Sequence, residues 1–178
     1  PPPSPLPRSH PGRVQGISDP LYAVSRALED HHIGALLVIG GYSAYEGIYT
    51  MMTERDRYPA FRIPTVCIPA SIDNNLPGSE LSIGTDTALN VIVEAMDKIK
   101  ESGIASRRCF VVETMGRDCG YLALMSGIAA GAERIYTNED GISLDDLAND
   151  VHWLRELFAH GRRLFLAVRN ENASHNYT

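Results

Sequence analysis

Short apolar runs alternate along the chain with longer stretches whose apolar positions recur every three or four residues. The runs "ALLVIG" (35–40), "IPTVCIPA" (63–70), "RCFVVET" (108–114), "AERIYT" (132–137) and "RRLFLAVR" (162–169) read as five strands. Asp19-Pro20 opens a helix through "LYAVSRALEDHHI" with Gly34 as its stop, and "AYEGIYTMMTERD" gives a second. "TDTALNVIVEAMDKIKES" is the strongest helical pattern, with Thr85 or Asp86 as cap and Gly103 at its end. The small-residue run "CGYLALMSGIAAGA" predicts a helix able to lie close on a sheet. Ser143 to Asp146 resembles a capping box leading into "LANDVHWLRELFAH" and Gly161. This alternation predicts an α/β fold: a doubly wound, mainly parallel sheet with helices on both faces. The predicted domain covers residues 19–178, after an irregular Pro-rich segment at 1–18.

In open sheets of this kind, ligands bind beyond the carboxyl ends of the strands. "GGYSAYEG" follows the first strand, "SIDNN" the second, "TMGRDCG" the third and "RNEN" the fifth. The polar clusters thus predict a ligand-binding rim on one edge of one sheet.

Composition narrows the choices. Of 178 residues, 44% are hydrophobic and 21% charged, the balance of a globular protein. A net charge of −6, with no basic run longer than a pair, argues against a nucleic-acid partner. No apolar stretch approaches the roughly 18 residues of a membrane span. Three cysteines, Cys67, Cys109 and Cys119, are odd in number and lack metal-ligand spacing, so they read as buried free thiols of a reducing, cytoplasmic compartment. The sequons at Asn172 and Asn176 read as chance matches. Neither the G-x-G-x-x-G fingerprint nor the G-x-x-x-x-G-K-[ST] loop is present, which argues against a Rossmann oxidoreductase.

Each rim cluster has a chemical and a structural reading. Gly40-Gly41 either lets backbone approach a ligand closely or makes a tight turn. Ser71, Asp73 and Asn75 alternate along an extended exit, so a hydroxyl, a carboxylate and an amide share one side. They could hold a polyol, with Asp73 as base, or form an Asx-turn network capping the next helix. Met115-Gly116-Arg117 offers open amides and a guanidinium to a phosphate or sugar edge. Glu171 could accept sugar hydroxyls or stand as an exposed loop carboxylate. Arg108 and Arg117, nine residues apart near opposite ends of one strand, do not clamp one ligand within one chain. A symmetric oligomer could bring Arg108 to a neighbour's rim.

"PASIDNNLPGSELSIGTDTALN", "RRCFVVETMGRDCGYLALMSGIAAGAE" and "LAVRNEN" resemble the phosphofructokinase family in order and spacing, from about residue 19 onward. The resemblance implies phosphoryl transfer to fructose 6-phosphate, usually from ATP with Mg²⁺. The family's catalytic loop Thr-Ile-Asp-Asn-Asp stands here as Ser71-Ile72-Asp73-Asn74-Asn75. The base position is kept as Asp73, and the metal-supporting carboxylate is Asn75. Met115, Gly116 and Arg117 match sugar-phosphate contacts, and Glu171 the acidic sugar contact. Arg108 matches the arginine that reaches a neighbouring subunit, so a homo-oligomer is expected. The nucleotide loop Gly-Gly-Asp-Gly-Ser is reduced to a remnant around Gly41, Tyr42 and Ser43, with Tyr42 replacing its Asp.

Sugar-side residues kept and metal-side carboxylates lost is the pattern of the C-terminal, regulatory half of double-length phosphofructokinases. It implies an effector site for fructose 2,6-bisphosphate or fructose 6-phosphate. This segment would then hold no metal, while Mg²⁺ and ATP serve the whole enzyme. Retention of Asp73 leaves the alternative of a catalytic domain with an altered Mg-ATP site. The resemblance further implies a fragment, with family sequence expected before residue 19 and after Thr178.

Overall fold

The computed structural model describes residues 19–173, so the Pro-rich segment and the Asn176 sequon lie outside the described residues. The order is α1 (Pro20–Asp30), β1 (Leu36–Gly40), α2 (Tyr42–Thr53), β2 (Thr65–Pro69), α3 (Thr85–Ser106), β3 (Arg108–Thr114), α4 (Tyr121–Ala130), β4 (Arg134–Tyr136), α5 (Leu144–Ala159) and β5 (Leu164–Asn170). The five expected strands and five expected helices are all present. The chain divides into two compact units, one reaching to Leu36 and resuming at Gly47–Val66, the other comprising Leu37–Glu46 and the chain from Cys67 onward.

The first unit is built around α1. Pro20 occupies the first turn, where its missing N–H costs nothing, and Asp19 caps the helix by accepting from the Leu21 amide at 3.0 Å. The other Asp19 oxygen accepts from the Tyr58 hydroxyl at 2.7 Å. Leu28, Tyr58 and Phe61 form a small core, flanked by Leu21, Leu36, Met51, Ala60 and Ile63.

The second unit carries a parallel sheet in the order β3-β5-β4. On one face, Met96 of α3 and Ala123 and Ala130 of α4 pack with Leu166 and Val168 of β5. The other face takes α5: Trp153 meets Phe165 edge-on at 5.7 Å, and the Arg134 guanidinium lies 4.4 Å over the Trp153 ring. Arg134 also pairs with Asp150, which accepts from the Tyr136 hydroxyl at 2.9 Å. The capping box at Ser143 and Asp146 starts α5 as expected.

The expected α/β fold of mainly parallel strands and helices is present, with its strands grouped as a β1-β2 ribbon and the three-stranded sheet. In sequence, the 22 residues of α3, about 33 Å of helix, separate the ribbon from the three-stranded sheet. Several expectations are corrected. Coverage on both faces holds for β5 but not for the strands with fewer neighbours: Leu37, Ile39 and Val111 are exposed. Cys67 and Cys119 are half-buried, and Cys109, on edge strand β3, is exposed; all three are free thiols.

Neither Thr85 nor Asp86 caps α3. Gly84 does so with φ +100° and no side-chain bond, and Thr85 donates its hydroxyl to the Ser71 carbonyl at 2.7 Å. Nor does Gly103 end α3, which continues to Ser106. Gly103 is buried, and a Cβ there would press on Leu164 and on the Phe110 ring. Its lack of a side chain lets the last turns of α3 approach β3 and β5.

Two predictions follow from this packing. Gly103→Leu should lower the unfolding free energy by about 1–3 kcal/mol, the usual cost of overpacking, in urea or thermal melts. Gly103→Ala should be far milder, because a Leu164 methyl can turn aside and Ala favours helix. At α5, the Ser143 hydroxyl, then its amide, holds the Asp146 carboxyl below its ordinary value of 3.8. The folded chain therefore binds that proton less readily than the unfolded one. The stabilisation is fully present above pH 3.8 and disappears as pH falls below it. Ser143→Ala should cost roughly 1 kcal/mol at neutral pH and remove this acid-range dependence, as read by thermal melts from pH 2 to 6.

Candidate functional site

All the rim residues belong to the second unit, and their loops touch in sequence. At the end of β1, Gly41 lies against the next strand's exit: a Cβ on it would sit 3.4 Å from the Ala70 carbonyl oxygen and from Ser71 Cβ. The Gly41 carbonyl accepts from the Ala44 and Tyr45 amides at 3.0 and 3.2 Å, which begins α2. Tyr42 and Ser43 consequently lie in the first turn of α2 and not in a loop, with the Tyr42 ring exposed.

After β2, residues 71–82 form an excursion closed by pairing of Ala70 with Ile83 and by the bond from the Ile83 amide to the Pro69 carbonyl at 2.9 Å. The expected extended exit is corrected here. Ser71 Oγ accepts from the Asp73 amide at 3.2 Å, and Asn74 turns left-handed at φ +53°. Asn tolerates that conformation because its side chain can bond locally. Asn74 Oδ1 accepts from the Ser82 amide at 2.9 Å, and its Nδ2 donates to the Glu80 carbonyl at 3.2 Å. Polar side chains therefore shape the loop, as in the structural reading, but they do not cap α3, which starts at Gly84 without a side-chain bond. Yet Asp73 Oδ1 and Asn75 Oδ1 are buried with no hydrogen-bond partner among the described residues. A buried acceptor left unpaired costs about 1–3 kcal/mol.

The β2 exit reaches the β3 exit at two points: Asn75 Nδ2 donates to the Arg117 carbonyl at 2.9 Å, and the Cys119 thiol to the Asn74 carbonyl at 3.4 Å. Met115 and Arg117 are exposed, the Arg117 side chain at 77%, and its nearest acidic neighbour is Asp118 at 4.0 Å. The expectation of open amides fails at Gly116, whose N–H donates to Glu171 Oε1 at 3.1 Å. Glu171 is thus neither a free loop carboxylate nor wholly available to a ligand. Its own amide donates to the Thr114 carbonyl at 3.0 Å, continuing the ladder past the strand ends.

Arg108 stands apart. It is the first residue of β3 and pairs with Leu164, whereas Thr114 at the rim end pairs with Asn170. Six residue steps of strand separate Arg108 from Thr114, about 20 Å. Its exposed guanidinium therefore lies off its own chain's rim.

Sequence reasoning missed two residues. Asn170 is completely buried and bonds to the Gly116 and Cys119 carbonyls. It lies in the quoted "RNEN", and the signal was its polarity at the end of an apolar strand. Glu139 accepts from the Gly120 amide with both oxygens, at 2.8 and 3.1 Å, and so caps α4. Nothing local marked it, since it lies 19 residues further along the chain.

The sequence profile of the family described as Phosphofructokinase matches residues 8–178, beginning ahead of the stretch in which the resemblance was legible. The chain is 44% identical over 159 residues to the platelet-type ATP-dependent 6-phosphofructokinase of Rattus norvegicus, which covers 89% of this chain and 20% of that protein. It is 45% identical over 157 residues to the ATP-dependent 6-phosphofructokinase of Dictyostelium discoideum, covering 88% of this chain and 19% of that one. Among solved structures, phosphofructokinase from Saccharomyces cerevisiae superposes with a TM-score of 0.83 at 38% identity, over 89% of this chain and 21% of that one. A pyrophosphate-dependent phosphofructokinase from Marinobacter aquaeolei, at 20% identity and TM-score 0.68, shares the fold over 88% of this chain and 41% of that one. The chain spans about a fifth of the length of the curated relatives it matches, and it belongs to the phosphofructokinase family.

Proposed function

We propose that this segment is a phosphosugar-effector half of a 6-phosphofructokinase, a cytoplasmic enzyme that as a whole transfers a phosphoryl group from ATP to fructose 6-phosphate with Mg²⁺. One observation supports the reading: apart from Arg108, the residues matched to sugar contacts are tied into one rim, while Tyr42 and Asn75, matched to the metal side, hold no carboxylate. Gly116 is bonded to Glu171 and Arg117 to Asn75. Tyr42 offers a ring in the first turn of α2, and Asn75 commits its amide to Arg117.

These residues do not fit Mg²⁺, a hard cation held through carboxylates and phosphate oxygens. Of Tyr42, Asp73 and Asn75, only Asp73 carries charge, and no step of phosphoryl transfer is assigned to this segment. The chemistry left is recognition. The exposed Arg117 guanidinium suits a phosphate bidentately. Asp73 and Asn75, half-buried at the same rim, are side chains of the kind to which sugar hydroxyls donate. Fructose 2,6-bisphosphate or fructose 6-phosphate supplies both kinds of group. Arg108, outside its own rim, completes the phosphate site of a neighbouring subunit in a homo-oligomer. A second reading keeps Asp73 as the base of a catalytic domain with an altered Mg-ATP site; it is favoured by that residue's buried, unpartnered oxygen.

Calorimetric titration of the full-length protein with fructose 2,6-bisphosphate and with fructose 6-phosphate tests the proposal. Saturable binding is expected, weakened at least about tenfold in Arg117→Ala, as loss of a charge-assisted contact requires. If Asp73→Asn abolishes phosphorylation of fructose 6-phosphate, the segment is catalytic and the effector reading fails.

A further inference from the structure

Asn170 closes β5, whose preceding residues Phe165, Leu166, Ala167 and Val168 are all buried and apolar. Its side chain is fully buried as well. Its Nδ2 donates to the Gly116 carbonyl at 2.8 Å and to the Cys119 carbonyl at 3.1 Å. Its Oδ1 accepts from the Asn172 amide at 3.0 Å. An amide has two N–H donors and one carbonyl acceptor, so both donors and the acceptor are engaged.

The partners are the two ends of the turn that carries Arg117 and the first residue beyond Glu171. One buried amide therefore fixes the β3 exit and the β5 exit against each other. The turn cannot hold its own shape by propensity. Gly116 sits at φ +137° and Asp118 at +56°, both in regions that side-chain-bearing residues seldom adopt. The space a Gly116 Cβ would need is filled by the Cys119 carbonyl and, at 2.7 Å, by Asn170 Nδ2 itself. An apolar residue in place of Asn170 would leave the Gly116 and Cys119 carbonyls without this donor. Because it is fully buried, Asn170 cannot touch a ligand in the rim.

We propose that Asn170 is a positioning residue of the phosphosugar site: it clamps the Gly116–Cys119 turn so that Arg117 and Glu171 face one ligand. The inference rests on the rim being a phosphosugar site, as proposed above. It differs from a purely structural role in one respect. A structural residue lowers the melting temperature and leaves the affinity of the folded protein alone, whereas a positioning residue changes affinity in protein that is still folded.

The test is Asn170→Asp, which keeps the shape and the acceptor but replaces the donor facing the two carbonyls. In the full-length protein, well below its melting temperature, fructose 2,6-bisphosphate affinity by calorimetry should fall about tenfold or more, as expected when positioned contacts are displaced. Because Asn170 acts through the turn bearing Arg117, the losses in Asn170→Asp plus Arg117→Ala should combine to less than their sum. Folded Asn170→Asp that binds within about twofold of wild type, while Arg117→Ala weakens binding, overturns the positioning role alone. Fully additive losses overturn it too. Unchanged affinity in Arg117→Ala sinks the rim reading first, and the role of Asn170 with it. Should Asn170→Asp fail to fold, Asn170→Ser, whose hydroxyl is too short to span both carbonyls, is judged by the same measurements.

Discussion

The site depends on the register of one parallel ladder. Arg108 to Thr114 of β3 pair residue for residue with Leu164 to Asn170 of β5, so the two strands end level. Ending level puts the turn after Thr114 beside the turn after Asn170, close enough for Glu171 to bond Gly116. Side chains alternate between faces along a strand, so a slip of one residue would turn Asn170 to the opposite face. Leu166 and Val168 would turn with it, away from Met96 and the small face of α4. Core packing therefore enforces the register, and the register places the rim. In this chain the hydrophobic pattern and the candidate chemistry are two consequences of the same pairing.

The helix connections answer to similar limits. Where α3 meets β3 and β5, Gly103 removes the one side chain that would hold them apart. Where α4 begins, Glu139 supplies the acceptor that the first amides of a helix need, and its negative charge suits that end of the helix dipole. The same carboxylate ties β4's exit to the start of α4, directly after the Gly116–Cys119 turn. The rim is thus backed by hydrogen bonds on its β4 side as well as on its β5 side.

How far the sequence revealed this varies with the range of the forces involved. Helix α5 was legible down to its cap, because Ser143 and Asp146 act within a single turn. The core strand β5 was legible from its unbroken apolar run. What could not be read were decisions made at long range. Division into two sheets depends on which strand ladders form, and apolar periodicity is silent on that. The geometry of 71–75 was misjudged because Asn74 takes its left-handed turn through bonds to Glu80 and Ser82, up to eight residues away. Gly103 looked like a helix stop because glycine commonly is one. It stands inside the helix for the sake of Leu164, whose side chain reaches it from 61 residues along the chain. The proximity of the β2, β3 and β5 exits was legible because strand ends gather polar loops.

Of the polar groups in this rim, most are occupied within the chain. Asn74 bonds Glu80 and Ser82, Asn75 Nδ2 bonds Arg117, Glu171 bonds Gly116, and Asn170 bonds three backbone groups. Against that background three atoms among the described residues, Asp73 Oδ1, Asn75 Oδ1 and Ser82 Oγ, stand buried and unmatched. Folding alone gains nothing from them, since each lost its water without gaining a partner. A bare cation satisfies oxygens in principle, but it needs several converging anionic ligands, and one carboxylate beside a neutral amide makes a weak cage. The chemistry of Tyr42, Asp73 and Asn75 thus argues against a metal ion at this end of the rim, and it does so from residue type alone.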